Sequence, residues 1–281
     1  MGSNKDVKLS AVMSSYNRGG LIRWSLLSLV NQQVPPDEII FIDDGSVDGT
    51  GRIIENFMKE HPEVNLKYYY NNNPGWTICV HGMNCGIKKA TGDLIMLTEP
   101  EILHPTPDVK IAKEFFSKPG NENKILIANP LYAVYEIALR RLTEEQLLNP
   151  ILITKLPNVY DYYVGYCSPP DTITYFPNGG THHIAIIFKR HLLAIGGYDE
   201  EFLDGGAGGY DDIDLLTRLR YYGIEEVRTN EIIAIHLYHE PPPSYARQPE
   251  LVKKNYLKMQ SRKPNEWKVN VGRSWGVLKE R

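Results

Sequence analysis

Leu94-Ile95-Met96-Leu97-Thr98-Glu99-Pro100-Glu101-Ile102 is the stretch on which the fold of this chain turns. A short apolar run, bounded upstream by Gly92-Asp93, predicts a strand buried on both faces. It stops at two carboxylates held either side of a proline. Pro100 fixes its own φ and pushes Glu99 into an extended conformation, so both side chains leave the strand end in a defined relation. In open α/β sheets, ligands sit beyond the carboxyl ends of strands. Two acids in that place predict a cation site for an anionic substrate; a solvated acidic loop is the plain alternative.

Upstream, the pattern alternates. Lys8 to Ser14 reads as a first strand that runs into the turn formers Ser14-Ser15-Tyr16-Asn17-Arg18-Gly19-Gly20. Leu21, Ile22, Leu26, Leu29 and Val30 follow at helical spacing. Glu38 to Ile42 is a second strand, leading directly into Asp43-Asp44-Gly45-Ser46. Asp48 or Thr50 can cap the next helix, whose inner face is expected to carry Ile53, Ile54, Phe57 and Met58. Leu66 to Tyr70 is a third strand, and a helix from about Trp76 to Ala90 precedes the central one. Such alternation predicts βαβ units. The fold class expected is α/β, a three-layer α/β/α arrangement around a mostly parallel mixed central sheet.

Downstream the periodicity loosens. A helix near Val109–Ser117, a strand at Ile125–Ala128 and a helix capped by Thr143 are expected. His183–Phe188 reads as a strand and Lys189–Ile195 as a short helix. Asp211 to Tyr222 should be helical with Ile213, Leu215, Leu216 and Leu219 buried. Ile232 to Leu237 reads as a strand, and a polar helix begins near Glu250. One compact domain over 8–240, followed by a helical extension over 241–281, is the organisation expected.

The chain has 281 residues, 42% of them hydrophobic, enough for a substantial core. Its formal charge of −3, with no basic run, argues against nucleic acid as a partner. No stretch has the length of a membrane span, and no basic-then-apolar leader opens the sequence. A cytoplasmic protein is expected, with the inner face of the membrane as its other candidate place. Three cysteines, Cys79, Cys85 and Cys167, lack metal-ligand spacing and read as reduced packing residues. Lys253, Lys254, Lys258, Arg262 and Lys263 are a candidate surface for pairing subunits in a homo-oligomer or for an anionic membrane. A solvated helix face is the simpler account.

Three further patterns carry chemistry. Asp43-Asp44 ends a strand, where a carboxylate can accept the imide N–H of uracil or thymine and Gly45 permits close backbone approach. In Asn84-Cys85-Gly86-Ile87 the glycine suits tight helix–strand packing, and Asn84 can hydrogen-bond a nearby loop. In Gly208-Gly209-Tyr210-Asp211-Asp212-Ile213-Asp214-Leu215, glycines turn the chain sharply and present acids at a helix start, which also suits the helix dipole. Asp212 can serve as a general base there, and Asp214 can bind Arg218.

In this order these patterns resemble family 2 glycosyltransferases. Val12–Arg18, Glu38–Thr50 and Asn84–Ile87 look like that family's nucleotide-binding half, here 8–102. Gly196-Gly197-Tyr198-Asp199-Glu200 and Gly209–Leu215 look like its acceptor half, here 103–240. The resemblance implies a GT-A fold and inverting transfer of a sugar from a nucleoside-diphosphate sugar such as a UDP-sugar. The acceptor would be a hydroxyl of a glycan, lipid-linked sugar or protein. It implies donor contacts from Tyr16, Asn17, Arg18, Asp43, Asp44, Asn84 and Glu99, with Asp44 on the nucleobase and Tyr16 and Arg18 lining the same pocket. It implies Asp212 as catalytic base with Asp211 beside it. Glu99 and Glu101 fall on the family's Asp-x-Asp metal motif, with His236 or His239 as a further ligand of Mn2+ or Mg2+. Each acid of that motif is a glutamate here, longer by one methylene.

Tyr160, Tyr162, Tyr163, Tyr166 and Tyr175 form a candidate stacking wall for acceptor sugars, with Gly179-Gly180-Thr181-His182 at its border. Two other functions compete. A sugar-nucleotide pyrophosphorylase would want a lysine in the loop Ser14–Gly20, which has none. A non-catalytic nucleotide-sugar-binding module fits the Glu-for-Asp replacements but not the Asp211-Asp212 pair.

Overall fold

The computed structural model describes residues 7–73, 79–157, 159–161, 171–176, 183–205, 209–240 and 249–280. The first hundred residues alternate as the sequence predicts: β1 (Leu9–Ser15), α1 (Gly19–Val30), β2 (Glu38–Asp43), α2 (Thr50–Glu60), β3 (Leu66–Tyr70), α3 (Val80–Lys89) and β4 (Leu94–Thr98). The remaining strands and α-helices among the described residues are β5 (Ile102–Leu103), α4 (Asp108–Phe116), β6 (Lys124–Ala128), β7 (Leu131–Val134), α5 (Glu136–Arg141), α6 (Glu144–Leu148), β8 (Val159–Asp161), β9 (Ile173–Phe176), β10 (Ile184–Phe188), α7 (Lys189–Ile195), α8 (Asp211–Tyr221), β11 (Glu225–Thr229), β12 (Ala234–Leu237) and α9 (Pro249–Gln260).

The main sheet has seven strands in the order β11-β6-β10-β4-β1-β2-β3. β1 pairs in parallel with β2 and β4, β2 with β3, and β6 with β11; only β10 runs antiparallel, between β4 and β6. Successive side chains of a strand face opposite sides, and both sides here are apolar. Leu9, Ala11 and Met13 pack with Ile22, Leu26, Leu29, Ile54, Phe57 and Phe116 of α1, α2 and α4. Val12, Ile40 and Ile42 pack with Val80, Met83 and Ile87 of α3, Leu192 and Ile195 of α7, and Leu215 and Leu219 of α8. That is the three-layer arrangement expected. α3 approaches β1 closely because it lacks two Cβ atoms: one on Gly86 would stand 2.4 Å from Val12 Cγ1, and one on Gly82 2.0 Å from Ser14 Oγ.

A second sheet, absent from the sequence reading, has the order β5-β12-β7-β9-β8. Its short strands come from distant parts of the chain, so no local period announces them. β5 starts one residue beyond Glu101, and β12 pairs with it antiparallel, setting His236 opposite Ile102.

Several local expectations need correction. Met58 is 37% and Ile213 36% exposed, because each sits at the edge of its helix's apolar stripe rather than at its centre. Asp48 caps α2 from one residue farther out than the N-cap, which is Gly49 at φ 92°. Its Oδ1 accepts from Thr50 N–H at 3.0 Å and its Oδ2 from Gly19 N–H at 3.0 Å, tying together the starts of α2 and α1. Among its described residues the C-terminal extension is helical over α9; from Arg262 to Glu280 it has no regular structure. Thr143 caps α6 in a reciprocal pair with Gln146, as its sequence predicts.

Candidate active site

The carboxyl ends of β1, β2 and β4 open on one side of the sheet, and four chain segments bring polar groups there. The first is the turn after β4. Leu237 N–H donates to Glu101 O at 3.0 Å, locking that turn to β12. Glu101 Oε1 then lies 3.0 Å from His239 Nε2. Glu101, His236 and His239 each offer a ligand atom, and these atoms lie within 4.8 Å of one another. Glu101 Oε2 is buried without a hydrogen-bond partner, the Arg18 Nε standing 3.7 Å away.

The charge states suit a cation. Burial would raise the Glu101 carboxyl, but the hydrogen bond and charge of His239 outweigh it and hold the carboxyl below its ordinary value. Burial, helped by the neighbouring His183, lowers His236 to about 4, which leaves a neutral imidazole. Burial pulls His239 down as well, yet Glu101 brings it above its ordinary value, so an entering cation would displace that proton. An orphaned carboxylate oxygen with two imidazoles in reach fits a divalent ion.

Glu99 departs from expectation. Its Oε2 bonds His183 Nδ1 at 2.9 Å instead of joining Glu101. The β4–β10 register explains this: Thr98 pairs with Ile184, so Glu99, just after β4, comes to His183, just before β10. His183 also packs edge-on against His236, ring centroids 5.4 Å apart. The sequence reading missed His183. The available signal was a pair of histidines, His182-His183, immediately before an apolar run. Burial lowers the His183 imidazole, but Glu99, with Asp212 and Glu101 contributing, raises it overall.

The second segment is the start of α8. Tyr210 takes φ 69°, an uncommon value for a residue with a side chain. The turn delivers Asp211 and Asp212 half-buried at the helix N-terminus. Burial and the adjacent Asp212 charge raise Asp211 to about 7, and Glu99 and Asp214 add to this. Asp212 Oδ1 accepts from Ile213 N–H at 2.7 Å. Asp214 points the other way: it bonds Arg218 Nε at 2.7 Å and Arg262 Nε at 2.6 Å in a buried ion cluster with Asp199.

The loops after β1 and β2 hold each other. Asn17 N–H donates to Ser46 Oγ at 2.9 Å, and Asn17 Oδ1 accepts from Val47 N–H at 2.9 Å. Asp43 accepts from Ser46 N–H at 2.8 Å and from Tyr68 O–H at 2.9 Å. Asn17 and Asp43, expected on the donor, therefore brace these loops. Asp44 is fully buried, its Oδ1 accepting from Asn71 Nδ2 and its Oδ2 from Asn73 Nδ2 at 3.2 Å. Arg18 faces Glu101 rather than Asp44, while Tyr16 stays half-buried at the end of β1. Asn84, also expected on the donor, bonds within the protein. It is fully buried, giving its amide to Tyr198 O at 2.9 Å and Glu200 Oε1 at 3.0 Å and accepting Tyr198 N–H at 2.8 Å.

A cleft of about 340 Å³ lies beside the Glu101 cluster, between Arg18, Leu21, Glu136, Arg140, Tyr238 and His239. Of the aromatic wall, Tyr175 packs at a tilt against Tyr132 with centroids 4.8 Å apart. Tyr162, Tyr163, Tyr166 and Gly179–His182 lie outside the described residues, as does the Tyr160 side chain.

The family model described as glycosyl transferase family 2 matches residues 10–168, more than half of the chain. The chain belongs to that family. Among relatives of this family 2 protein, chondroitin synthase of Pasteurella multocida is 26% identical over 264 residues, 85% of this chain and 25% of that one. An uncharacterised Mycoplasma pneumoniae glycosyltransferase is 37% identical over 109 residues, 38% of this chain and 36% of its own length. The chain thus spans between a quarter and about a third of these relatives. Two solved structures share its fold. The Pyrobaculum calidifontis mannosyltransferase PcManGT, in complex with GDP-Man and Mn2+, has a TM-score of 0.53 at 16% identity, covering 89% of this chain and 70% of its own. S. aureus TarS in complex with UDP-GlcNAc has 0.57 at 17%, covering 92% and 69%. At these identities the likeness is one of fold, the GT-A arrangement. Among the described residues, no helix is long and apolar enough to cross a membrane.

Proposed function

We propose that this family 2 protein is an inverting glycosyltransferase, moving a sugar from a nucleoside-diphosphate sugar to a hydroxyl of a glycan, lipid-linked or protein acceptor. The observation that carries the reading is convergence. Glu101, His236 and His239 meet at one end of the sheet, and the acids of α8 act on the same ground: Asp212 contributes to raising His183, and Glu99 to raising Asp211.

Asp212, in the first turn of α8, takes the acceptor hydroxyl proton in this reading. The freed oxygen forms a bond to the anomeric carbon as the bond from that carbon to the diphosphate oxygen breaks. One displacement inverts the centre. Asp211, raised to about 7 by burial and by Asp212, holds a proton up to neutral pH and so limits repulsion beside the base. Glu101, His236 and His239 would hold a divalent cation, which when bound neutralises charge on the departing diphosphate. Two imidazoles and one carboxylate favour Mn2+ over Mg2+, because Mg2+ takes oxygen ligands almost alone. His183 engages Glu99 Oε2 beside that cluster.

The test is nucleoside diphosphate release from UDP- and GDP-sugars with Mn2+ and a panel of acceptors. Asp212→Asn should lose on the order of 10²- to 10⁴-fold in turnover, while binding of UDP with Mn2+ stays near wild type. Full turnover by that variant would remove Asp212 from the role.

A further inference from the structure

The chain after α9 folds back over the molecule. Val269 N–H donates to Ile195 O at 3.0 Å, and Asn270 Nδ2 donates to the carbonyls of Gly196 and Tyr198, each at 2.7 Å. The segment then follows one face of α3, touching residues spaced i, i+3 and i+7. Lys88 Nζ donates to Trp275 O at 2.6 Å, and the His81 ring meets Val277 O at 2.9 Å. Gly276 lies on Asn84, where a Cβ would stand 2.7 Å from the Asn84 carbonyl oxygen; its φ is +56°. Its N–H donates to Glu200 Oε1 at 2.8 Å, the oxygen that also accepts from Asn84.

The far end reaches the loop after β3. Lys279 N–H donates to Asn71 Oδ1 at 2.7 Å, and Asn72 N–H donates to Lys279 O at 2.9 Å. The same Asn71 side chain gives its amide hydrogen to Asp44. Asn71 is therefore a single link between the C-terminal segment and the buried carboxylate, one amide face turned to each.

We propose that residues Val269–Glu280 form a latch on the donor site, holding Asn71 against Asp44 so that a nucleobase taking Asp44 must release it. The idea rests on the reading of Asp44 as the nucleobase acceptor. Asp44 has no exposed surface, and its Oδ1 is the oxygen held by Asn71 while Oδ2 is held by Asn73, so an imide N–H that enters on the Oδ1 side meets the Asn71 amide there. Moving Asn71 takes away the acceptor of Lys279 N–H. The segment is also fastened at Glu200, beside Gly196-Gly197-Tyr198-Asp199, so its release loosens contacts of the second half of the chain. Donor entry and the setting of that half are thereby linked through one strap.

Hydrogen exchange and calorimetry on the full chain test this with UDP and Mn2+ as probe. Saturating UDP should speed exchange at the Lys279 and Asn72 amides by about tenfold, the loss of one or two hydrogen bonds. Gly276→Val, which drives the strap off α3, should bind UDP several-fold more tightly. Unchanged exchange with UDP bound, or equal or weaker binding by Gly276→Val, overturns the latch. Asp44→Asn without nucleotide supplies an independent arm. Losing the anionic partner of Asn71 should raise exchange at the same two amides, and unchanged exchange there overturns the latch by itself. Failure of UDP to bind any of these proteins would instead overturn the nucleobase reading of Asp44, with the Asp44→Asn arm still deciding whether carboxylate and strap are coupled. Should Gly276→Val fail to fold, the other two arms remain decisive.

Discussion

Asp211→Asn should make the protein more stable, and increasingly so as pH rises. Burial, then the Asp212 charge, raises the Asp211 carboxyl from its ordinary 3.8 to about 7. Between those values the folded chain keeps a proton that the unfolded chain has released. Stability therefore falls as pH rises through that window, and the full cost is present above pH 7. A gap of about 3 units at roughly 1.4 kcal/mol each sets a ceiling of about 4 kcal/mol. Asp211 is only half-buried, so solvent screening leaves about 2 kcal/mol. Asparagine is neutral at every pH and escapes this cost. For a chain of this size the gain corresponds to roughly 4 °C in Tm at pH 8 and much less at pH 4.5. Thermal unfolding of both proteins in chelator-containing buffer at the two pH values measures it. An advantage for Asp211→Asn at pH 8 no larger than at pH 4.5 would refute the electrostatic account of this pair.

Asp214→Ala should cost about 3–5 kcal/mol in a denaturant titration, because it leaves the fully buried Arg218 without its principal partner. Gly86→Val should cost about 3 kcal/mol by the same measurement, since its side chain meets Val12 Cγ1 across the α3–β1 contact; stability equal to wild type would show that helix and strand can separate freely. Glu101→Gln and His236→Ala should each weaken Mn2+ binding at least tenfold by titration calorimetry or electron paramagnetic resonance. Glu99→Gln should weaken it far less, because Glu99 is bonded to His183 instead. Equal losses at Glu99 and Glu101 would return Glu99 to the ligand set.

The sequence was most legible where function and fold are local. β1 to β4 alternate with helices at regular spacing, and the acids after β4 and at the start of α8 stand at element ends. The donor residues were harder. Asn17, Asp43 and Asn84 match a motif, yet their polar atoms hold loops together, and a motif does not distinguish a residue that touches substrate from one that supports its neighbour. Glu99 and His183 meet only because β10 enters the sheet antiparallel, a long-range pairing without a local period. The second sheet and the C-terminal strap were illegible for the same reason. Several of their pairings join residues a hundred or more positions apart, as with Ile102 and His236 or Asn71 and Lys279.

The position of β10 has a consequence for dissecting this enzyme fold. Its residues come almost ninety positions after β4, yet it lies between β4 and β6, contributing buried Ile184, Ala185, Ile186 and Ile187 to the two apolar faces. A fragment ending near Leu103 would carry all the motifs of a nucleotide-binding half but present β4 as a naked edge of Leu-Ile-Met-Leu. Such an edge recruits other chains. Chimeras that graft a foreign acceptor module at that point would thus exchange a strand from the middle of the sheet, and their solubility would hinge on whether the incoming strand matches the side-chain register of β4.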